Sequence, residues 1–238
     1  MNPPGWQQLK TQVIDAGLCT RCGGCVGVCT EQAIVLDDLM GEALPRLNGT
    51  CESCDGRCYA ACSGDYVPFP GLNMFLHDRQ PHNRYLGNFR SLSVGFATDP
   101  EVRAQAASGG ILSAILIHLL ETHQVDGAIV TRAKPGQPYL PQPVIARTPG
   151  EVKAAAQSKY SIVPVNAILQ QLAEVEGRFA YVGLPCQVHS LRKLQAAGHP
   201  AAQKIAYVIG SYCGLTLHFE SVRSFFEGTR GSRGGQGG

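Results

Sequence analysis

Charge of either sign is scarce in this chain. Only 16% of its 238 residues are Asp, Glu, Lys or Arg, and the formal net charge is +2. That balance argues against a surface dedicated to nucleic acid. Long apolar runs are also missing: the longest, Ile111 to Leu120, is interrupted by Ser113 and His118 and is too short to span a bilayer. The N-terminal residues MNPPGWQQLK hold no apolar core of the secretory-signal type. A soluble, cytoplasmic protein without a transmembrane segment is therefore expected. No GxGxxG occurs, so the glycine fingerprint of the dinucleotide-binding fold is absent. Apolar residues still make up 44% of the chain, enough for a core and too many for a disordered polypeptide. The length suits one large domain or a small one beside a medium one.

Cysteine is the exception to this scarcity. Eight of the ten cysteines fall in a 44-residue window, in two groups of four. The first is Cys19-x2-Cys22-x2-Cys25-x3-Cys29, and the second is Cys51-x2-Cys54-x3-Cys58-x3-Cys62. A cuboidal iron–sulfur cluster needs four thiolates converging on one inorganic core, and tight loops of this spacing supply them. A disulfide framework needs an oxidising compartment and usually a small secreted chain. Zinc favours two CxxC pairs with a longer gap, and remains the rival reading. The window is acidic: residues 15–64 carry seven acidic and three basic side chains, a net of −4, whereas residues 65–238 sum to +5. Such an asymmetry suits docking of redox partners or anionic cofactors, and ordinary surface variation explains it nearly as well.

Between the two groups, Ala33–Leu36 and Ala43–Leu47 read as short strands joined by a turn at Asp37, Asp38 and Gly41. This layout resembles the two-cluster bacterial ferredoxin. That resemblance implies crossed ligation, with Cys19, Cys22, Cys25 and Cys62 on one [4Fe-4S] cluster and Cys51, Cys54, Cys58 and Cys29 on the other. The chain departs from the ferredoxin pattern in having Thr30 and Ser63 where proline normally follows, and in the longer Asp55-Gly56-Arg57 loop. One cluster rather than two stays open. A linker of loop character, residues 65–90, follows, and its Phe69, Leu72, Met74, Phe75 and Leu76 are expected to pack on the body.

From Ser91 the pattern becomes α/β. Strands are expected at Ser91–Ala97, Val125–Val130, Pro143–Ala146, Phe179–Val182 and Ile205–Gly210. Helices are expected after Ser108-Gly109-Gly110, from a Thr148 cap with Pro149 in the first turn, over Val165–Leu172, and from Pro185 to about Ala197. Continuous apolar strands alternating with helices predict a sheet covered on at least one face.

Three short segments carry chemistry. Ser108, Gly109 and Gly110 put small residues and free amides at a helix start, an arrangement suited to a pyrophosphate. Ser158, Lys159 and Tyr160 offer a hydroxyl, a cation and a ring, or simply a solvated turn. Gly183-Leu184-Pro185-Cys186-Gln187 follows a strand directly, where α/β ligand sites lie. Cys186 and Cys213 read by default as small buried hydrophobes. His189 beside Cys186 makes no catalytic motif, so no catalytic residue is assigned.

The order of these motifs (the ferredoxin cysteines, ASGG, QSKY, GLPCQ, then a strand leading to Cys213) resembles the beta-subunit family of coenzyme F-420 hydrogenase and dehydrogenase. That family includes chlorophyll-pathway reductases acting on vinyl and hydroxymethyl groups. The resemblance covers about residues 15–226. It implies an oxidoreductase of α+β class, with a two-cluster ferredoxin-like module, residues 15–64, followed by an α/β FAD-binding domain, residues 91–226. It further implies FAD contacts from Ser108, Gly109, Gly110, Ser158, Lys159, Tyr160, Gly183, Pro185, Cys186 and Gln187. A redox partner protein, either a ferredoxin or a hydrogenase or dehydrogenase subunit, is expected, with an organic hydride acceptor such as coenzyme F-420. The alternative is an electron-transfer subunit with no flavin of its own. Residues 1–14 and 227–238 read as tails. The second has six glycines in twelve residues, and a truncated flavin domain is expected as readily as a flexible end.

Overall fold

The computed structural model describes residues 4–51 and 54–231. Trp6, Leu9 and Val13 recur at helical spacing. Helix α1 (Pro4–Leu9) runs on into one turn of π-helix, Lys10–Ile14. All three apolar side chains are buried, so the described part of the expected N-terminal tail is instead core. Each cysteine group wraps one short helix, α2 (Gly24–Gly27) or α3 (Arg57–Ala60). Both helices start from a glycine in the left-handed region, Gly23 at φ 83° and Gly56 at φ 77°, which L side chains adopt only with strain. Between them β1 (Ile34–Val35) pairs antiparallel with β2 (Arg46–Leu47), forming the expected hairpin.

The segment expected as a linker contains a helix, α4 (Phe69–His77), with Pro70 in its first turn. Its packing is partial. Leu72 is buried, and the Phe69 ring meets His189 edge-on with centroids 5.2 Å apart, but Met74 and Phe75 are exposed. Ser91–Ala97 is not a strand. Leu92, Val94 and Phe96 are exposed, and the Ala97 N–H bonds to Gly109 O at 2.7 Å rather than to a sheet. Asp99 then caps α5 (Pro100–Gln105) by accepting from the Glu101 and Val102 N–H groups. The alternating pattern was real, but the chain turns away into a helix before it reaches a sheet edge.

The body follows as α6 (Ile111–Glu121), β3 (Gly127–Lys134), β4 (Gln137–Ala146) and α7 (Pro149–Ala154). After these come a 3-10 turn (Val165–Ile168) leading into α8 (Leu169–Glu174), then β5 (Phe179–Gly183), α9 (Pro185–Ala196), α10 (Pro200–Gln203), β6 (Ile205–Gly210) and α11 (Phe219–Gly231). The sheet order is β4-β3-β5-β6, with β3–β4 antiparallel and both β3–β5 and β5–β6 parallel. Strand β4 takes the edge, where Pro141 and Pro143 cost no ladder bond. Thr148 caps α7 with Pro149 in the first turn, as the sequence predicts, and Glu151 completes a reciprocal capping box.

Alternation along the strands divides the core in two. Ile129, Phe179 and Tyr181 point to one face and pack with α1, the cysteine loops, α8 and α9. Ala128, Val130 and Ala180 point to the other face, against Leu116, Leu119 and Leu120 of α6 and Val152 of α7. The cysteine loops therefore share one core with the sheet. Helix α11 extends to Gly231, into the expected glycine-rich tail; residues 232–238 lie outside the described residues. Among the described residues, no helix is long and apolar enough to cross a membrane.

Candidate functional site

The fold brings the eight clustered cysteines into two crossed sets. Burial pushes the Cys25 thiol well above the usual range, and neighbouring Cys22, Cys19, Cys62 and, least of these, Cys58 push it further. Burial likewise raises the Cys58 thiol to about 12, with Cys54, Cys51 and Cys29 around it. It raises the Cys51 thiol to about 11, helped by Cys54, whose sulfur lies 3.8 Å away, and by Cys29. Cys62 thus sits beside Cys19, Cys22 and Cys25, and Cys29 sits beside Cys51, Cys54 and Cys58. A small cleft lined by Cys29, Cys51, Cys54 and Cys58 marks the second set. Among the described residues, no three ligating side chains converge closely enough to chelate a single ion.

The first set is furnished with donors toward sulfur. The Gly24 N–H approaches Cys22 Sγ at 3.5 Å and the Gly64 N–H approaches Cys62 Sγ at 3.3 Å. Ser63 Oγ lies 3.7 Å from Cys22 Sγ and 3.1 Å from Thr20 Oγ1, joining the end of the second cysteine group to the first. A Cβ on Gly24 or Gly27 would fall 2.3 Å from Ser190 Oγ or 2.0 Å from Asn166 O, so the first loop presses its backbone against the body. Glycine cradles, soft ligands and amide donors are what a sulfide-bearing cluster requires.

A cavity of about 740 Å³ opens beside the first set, at the carboxyl ends of parallel strands β3, β5 and β6. Nine of the ten residues predicted as cofactor contacts line it: Ser108, Gly109, Gly110, Ser158, Lys159, Tyr160, Gly183, Cys186 and Gln187. The tenth, Pro185, opens α9 next to them. The N-termini of α6 and α9 both face the cavity, so two helix dipoles favour an anion there. Its volume suits a drug- or nucleotide-sized ligand. Among the lining residues that escaped the sequence reading are Thr20 and Arg21 from the first cysteine loop, Gly95, and Ser211–Thr216 after β6. The last group follows a strand end, as GLPCQ does, and that position was its one available signal.

Cys186 and Cys213 both line the cavity. Burial and nearby Cys22 push the Cys186 thiol up to about 11, so it stays protonated near neutrality and is a poor nucleophile. Lys159 behaves differently from its expected role. Its ammonium donates to Ala155 O at 2.6 Å, Ala156 O at 2.5 Å and Gln157 O at 2.9 Å, which uses all three of its hydrogens. The side chain therefore fixes the loop after α7 and offers a ligand its charge rather than a hydrogen bond. Burial lowers it to about 8. The unfolded chain accordingly holds more protons between about pH 8 and 10.5, and this residue's contribution to stability rises with pH across that window. The charge itself is lost over the same rise. We expect the affinity of the cavity for inorganic pyrophosphate, measured by calorimetry, to fall about fivefold as pH passes 8, a difference of ~1 kcal/mol for a partly exposed charge. Lys159→Met should bind weakly and without that step.

A buried polar network joins the cysteine loop to the cavity. Asn166 is fully buried in the 3-10 turn; its N–H donates to Cys22 O at 3.0 Å. Its Nδ2 donates to Gln187 O at 3.0 Å, and its Oδ1 accepts from the Tyr181 hydroxyl at 2.5 Å. Gln187 Nε2 in turn donates to Val163 O at 2.9 Å, and Gln187 Oε1 accepts from the Leu184 N–H at 2.8 Å. Lys193 of α9 donates to Cys62 O at 2.5 Å and Tyr66 O at 2.7 Å.

Fold and site together define a mixed-sheet α/β protein in which two thiol sets and a ligand-sized cavity share one core. The chain belongs to the coenzyme F420 hydrogenase/dehydrogenase beta-subunit family. Residues 92–170 match the N-terminal model of that family and residues 176–234 the C-terminal one. The coenzyme F420-dependent sulfite reductase of Methanocaldococcus jannaschii is 25% identical over 89% of this chain and 33% of its own length. The coenzyme F420 hydrogenase beta subunit of Methanothermobacter thermautotrophicus is 32% identical over 59% of this chain and 51% of its own. Among solved structures, a chain of the F420-reducing [NiFe] hydrogenase complex from Methanosarcina barkeri superposes with a TM-score of 0.52 at 28% identity, over 56% of this chain and 47% of that one. The chain thus spans between a third and about half of the length of these curated relatives.

Proposed function

We propose that this chain is an iron–sulfur flavoprotein oxidoreductase, holding two [4Fe-4S] clusters in the crossed cysteine sets and FAD in the cavity. The observation that carries the proposal is the convergence of three sequence-distant segments on one cavity whose wall also includes Thr20 and Arg21, the neighbours of Cys19 and Cys22. Clusters exchange single electrons and a flavin also transfers hydride, so the pair links one-electron and two-electron chemistry.

The chain's own residues then have distinct tasks. The amides of Gly109 and Gly110 and the dipole of α6 hold the anionic diphosphate, with the Lys159 charge behind them. Gly183, Cys186 and Gln187 flank the ring system, with Pro185 fixing the start of α9. Arg21 donates to Glu42 O at 3.2 Å and Cys19 O at 3.3 Å, which holds the first cysteine loop closed against the cavity. The names of the relatives support coenzyme F420 or a related organic compound as hydride acceptor, and a hydrogenase or dehydrogenase subunit as partner; a ferredoxin is the other redox partner proposed. The cytoplasm is the compartment that leaves these thiols reduced.

Anaerobic purification with metal, sulfide and flavin analysis tests the proposal. About eight irons, about eight sulfides and one FAD per chain are expected. Iron without flavin would point to an electron-transfer subunit instead, and stoichiometric zinc without sulfide would overturn both readings.

A further inference from the structure

We infer that Ser190 donates a hydrogen bond to the sulfur of the cluster held by Cys19, Cys22, Cys25 and Cys62, and that this bond raises its reduction potential. The inference rests on the reading that this set holds a cluster.

Ser190 lies on α9 and is completely buried. Its hydroxyl has no hydrogen-bond partner among the described residues. A helical serine usually returns its hydroxyl to the carbonyl four residues back. Here that carbonyl belongs to Cys186 and is not used. A buried hydroxyl without an acceptor is costly and calls for a partner. The neighbours say where the partner lies. A Cβ placed on Gly24 would stand 2.3 Å from Ser190 Oγ and 3.6 Å from Cys22 Sγ. The hydroxyl and the Cys22 thiol thus both border the space that a side chain at position 24 would fill, and glycine there keeps that space open.

The known donors to this set, the amides of Gly24 and Gly64 and the Ser63 hydroxyl, all come from the cysteine loops themselves. Ser190 approaches from the body, on the same helix as the cavity residues Cys186 and Gln187. Reduction adds one electron to the cluster, and a donor facing its sulfur stabilises that more negative form. A single helix then both lines the cavity and sets the driving force of the nearer cluster.

The test compares wild type with Ser190→Ala and Ser190→Thr, each reconstituted anaerobically with iron and sulfide and titrated potentiometrically by EPR. Alanine should leave iron content unchanged and make reduction of the nearer cluster about tenfold less favourable, a shift of about 59 mV for a one-electron couple. The second cluster should keep its potential. Threonine, which retains the hydroxyl, should restore most of the shift. ENDOR provides an independent readout: an exchangeable proton coupled to the nearer cluster, lost in deuterated buffer, should be present in wild type and missing in the alanine variant. A loaded alanine variant with unchanged potential and the proton still present would overturn the inference and leave the cluster reading standing. So would an equal shift of both clusters. Failure of wild type to take up iron and sulfide would overturn both.

Discussion

Gly27→Ala will lower the stability of this protein by about 3 kcal/mol or more, as a substitution that overpacks a rigid core against backbone. A Cβ at residue 27 would stand 2.0 Å from Asn166 O, 3.0 Å from Asn166 C and 3.1 Å from Leu169 Cβ. The obstructing atoms are main chain, so no rotamer change relieves the contact. The main chain in question belongs to the residue that ties the cysteine loop to the body through Cys22 O, Gln187 O and Tyr181. Pushing it away therefore strains three bonds of a fully buried side chain and backbone. Gly24→Ala is the informative contrast. It meets the Ser190 hydroxyl, a side-chain atom that can rotate, and should cost markedly less. For a chain of this size the Gly27 variant should melt about 6–12 °C below wild type. A midpoint within about 2 °C of wild type would show that the cysteine loops and the body are not one cooperative core.

The readability of this protein from sequence divides along the range of the interactions involved. Local chemistry was legible: the Thr148 cap with Pro149 behind it, the hairpin between the cysteine groups, and the strands whose apolar runs become β3, β5 and β6. So were the three cavity segments, because small residues at strand ends and helix starts announce themselves whatever they face. Long-range placement was not legible. Trp6, Leu9 and Val13 have a clear helical spacing, but fourteen residues ahead of a metal-type motif give no sign that a core awaits them. Ser91–Ala97 has an unambiguous strand pattern and lies beside a glycine turn instead, since alternation states only that a strand would be amphipathic, not that an edge is available. Asn166 is the sharpest case. One polar residue within Val165–Leu172 reads as a surface position of an amphipathic helix, and it is completely buried because its partners arrive from Cys22, Tyr181 and Gln187.

With clusters in the two sets as proposed, Cys62→Ala should remove the one held by Cys19, Cys22 and Cys25 while sparing the one beside Cys51, although Cys62 is far closer in sequence to Cys58. The reason is the path of the chain after α3. Cys62 turns back toward the first cysteine loop, and it is held there from three sides. Lys193 donates to its carbonyl at 2.5 Å, the Gly64 N–H reaches its sulfur at 3.3 Å, and the adjacent Ser63 bridges Thr20 and Cys22. Cys29 makes the reciprocal move to the set of Cys51, Cys54 and Cys58, and it lines their cleft. Iron should therefore fall from about eight to about four per chain in either variant, with a different EPR signal surviving in each. Because each cluster is tied to both halves of the cysteine segment, losing one should also loosen the other half, visible as faster amide exchange around β1 and β2. If Cys62→Ala lost the Cys51 cluster and kept the other, ligation would be sequential, and the closeness of Cys62 to Cys22 would belong to packing alone. Crossed ligation gives the crossing a further consequence for the cavity. The cluster next to Thr20 and Arg21 would take its fourth ligand from a loop anchored on α9, so the same helix that lines the cavity would hold that cluster at a fixed distance from it.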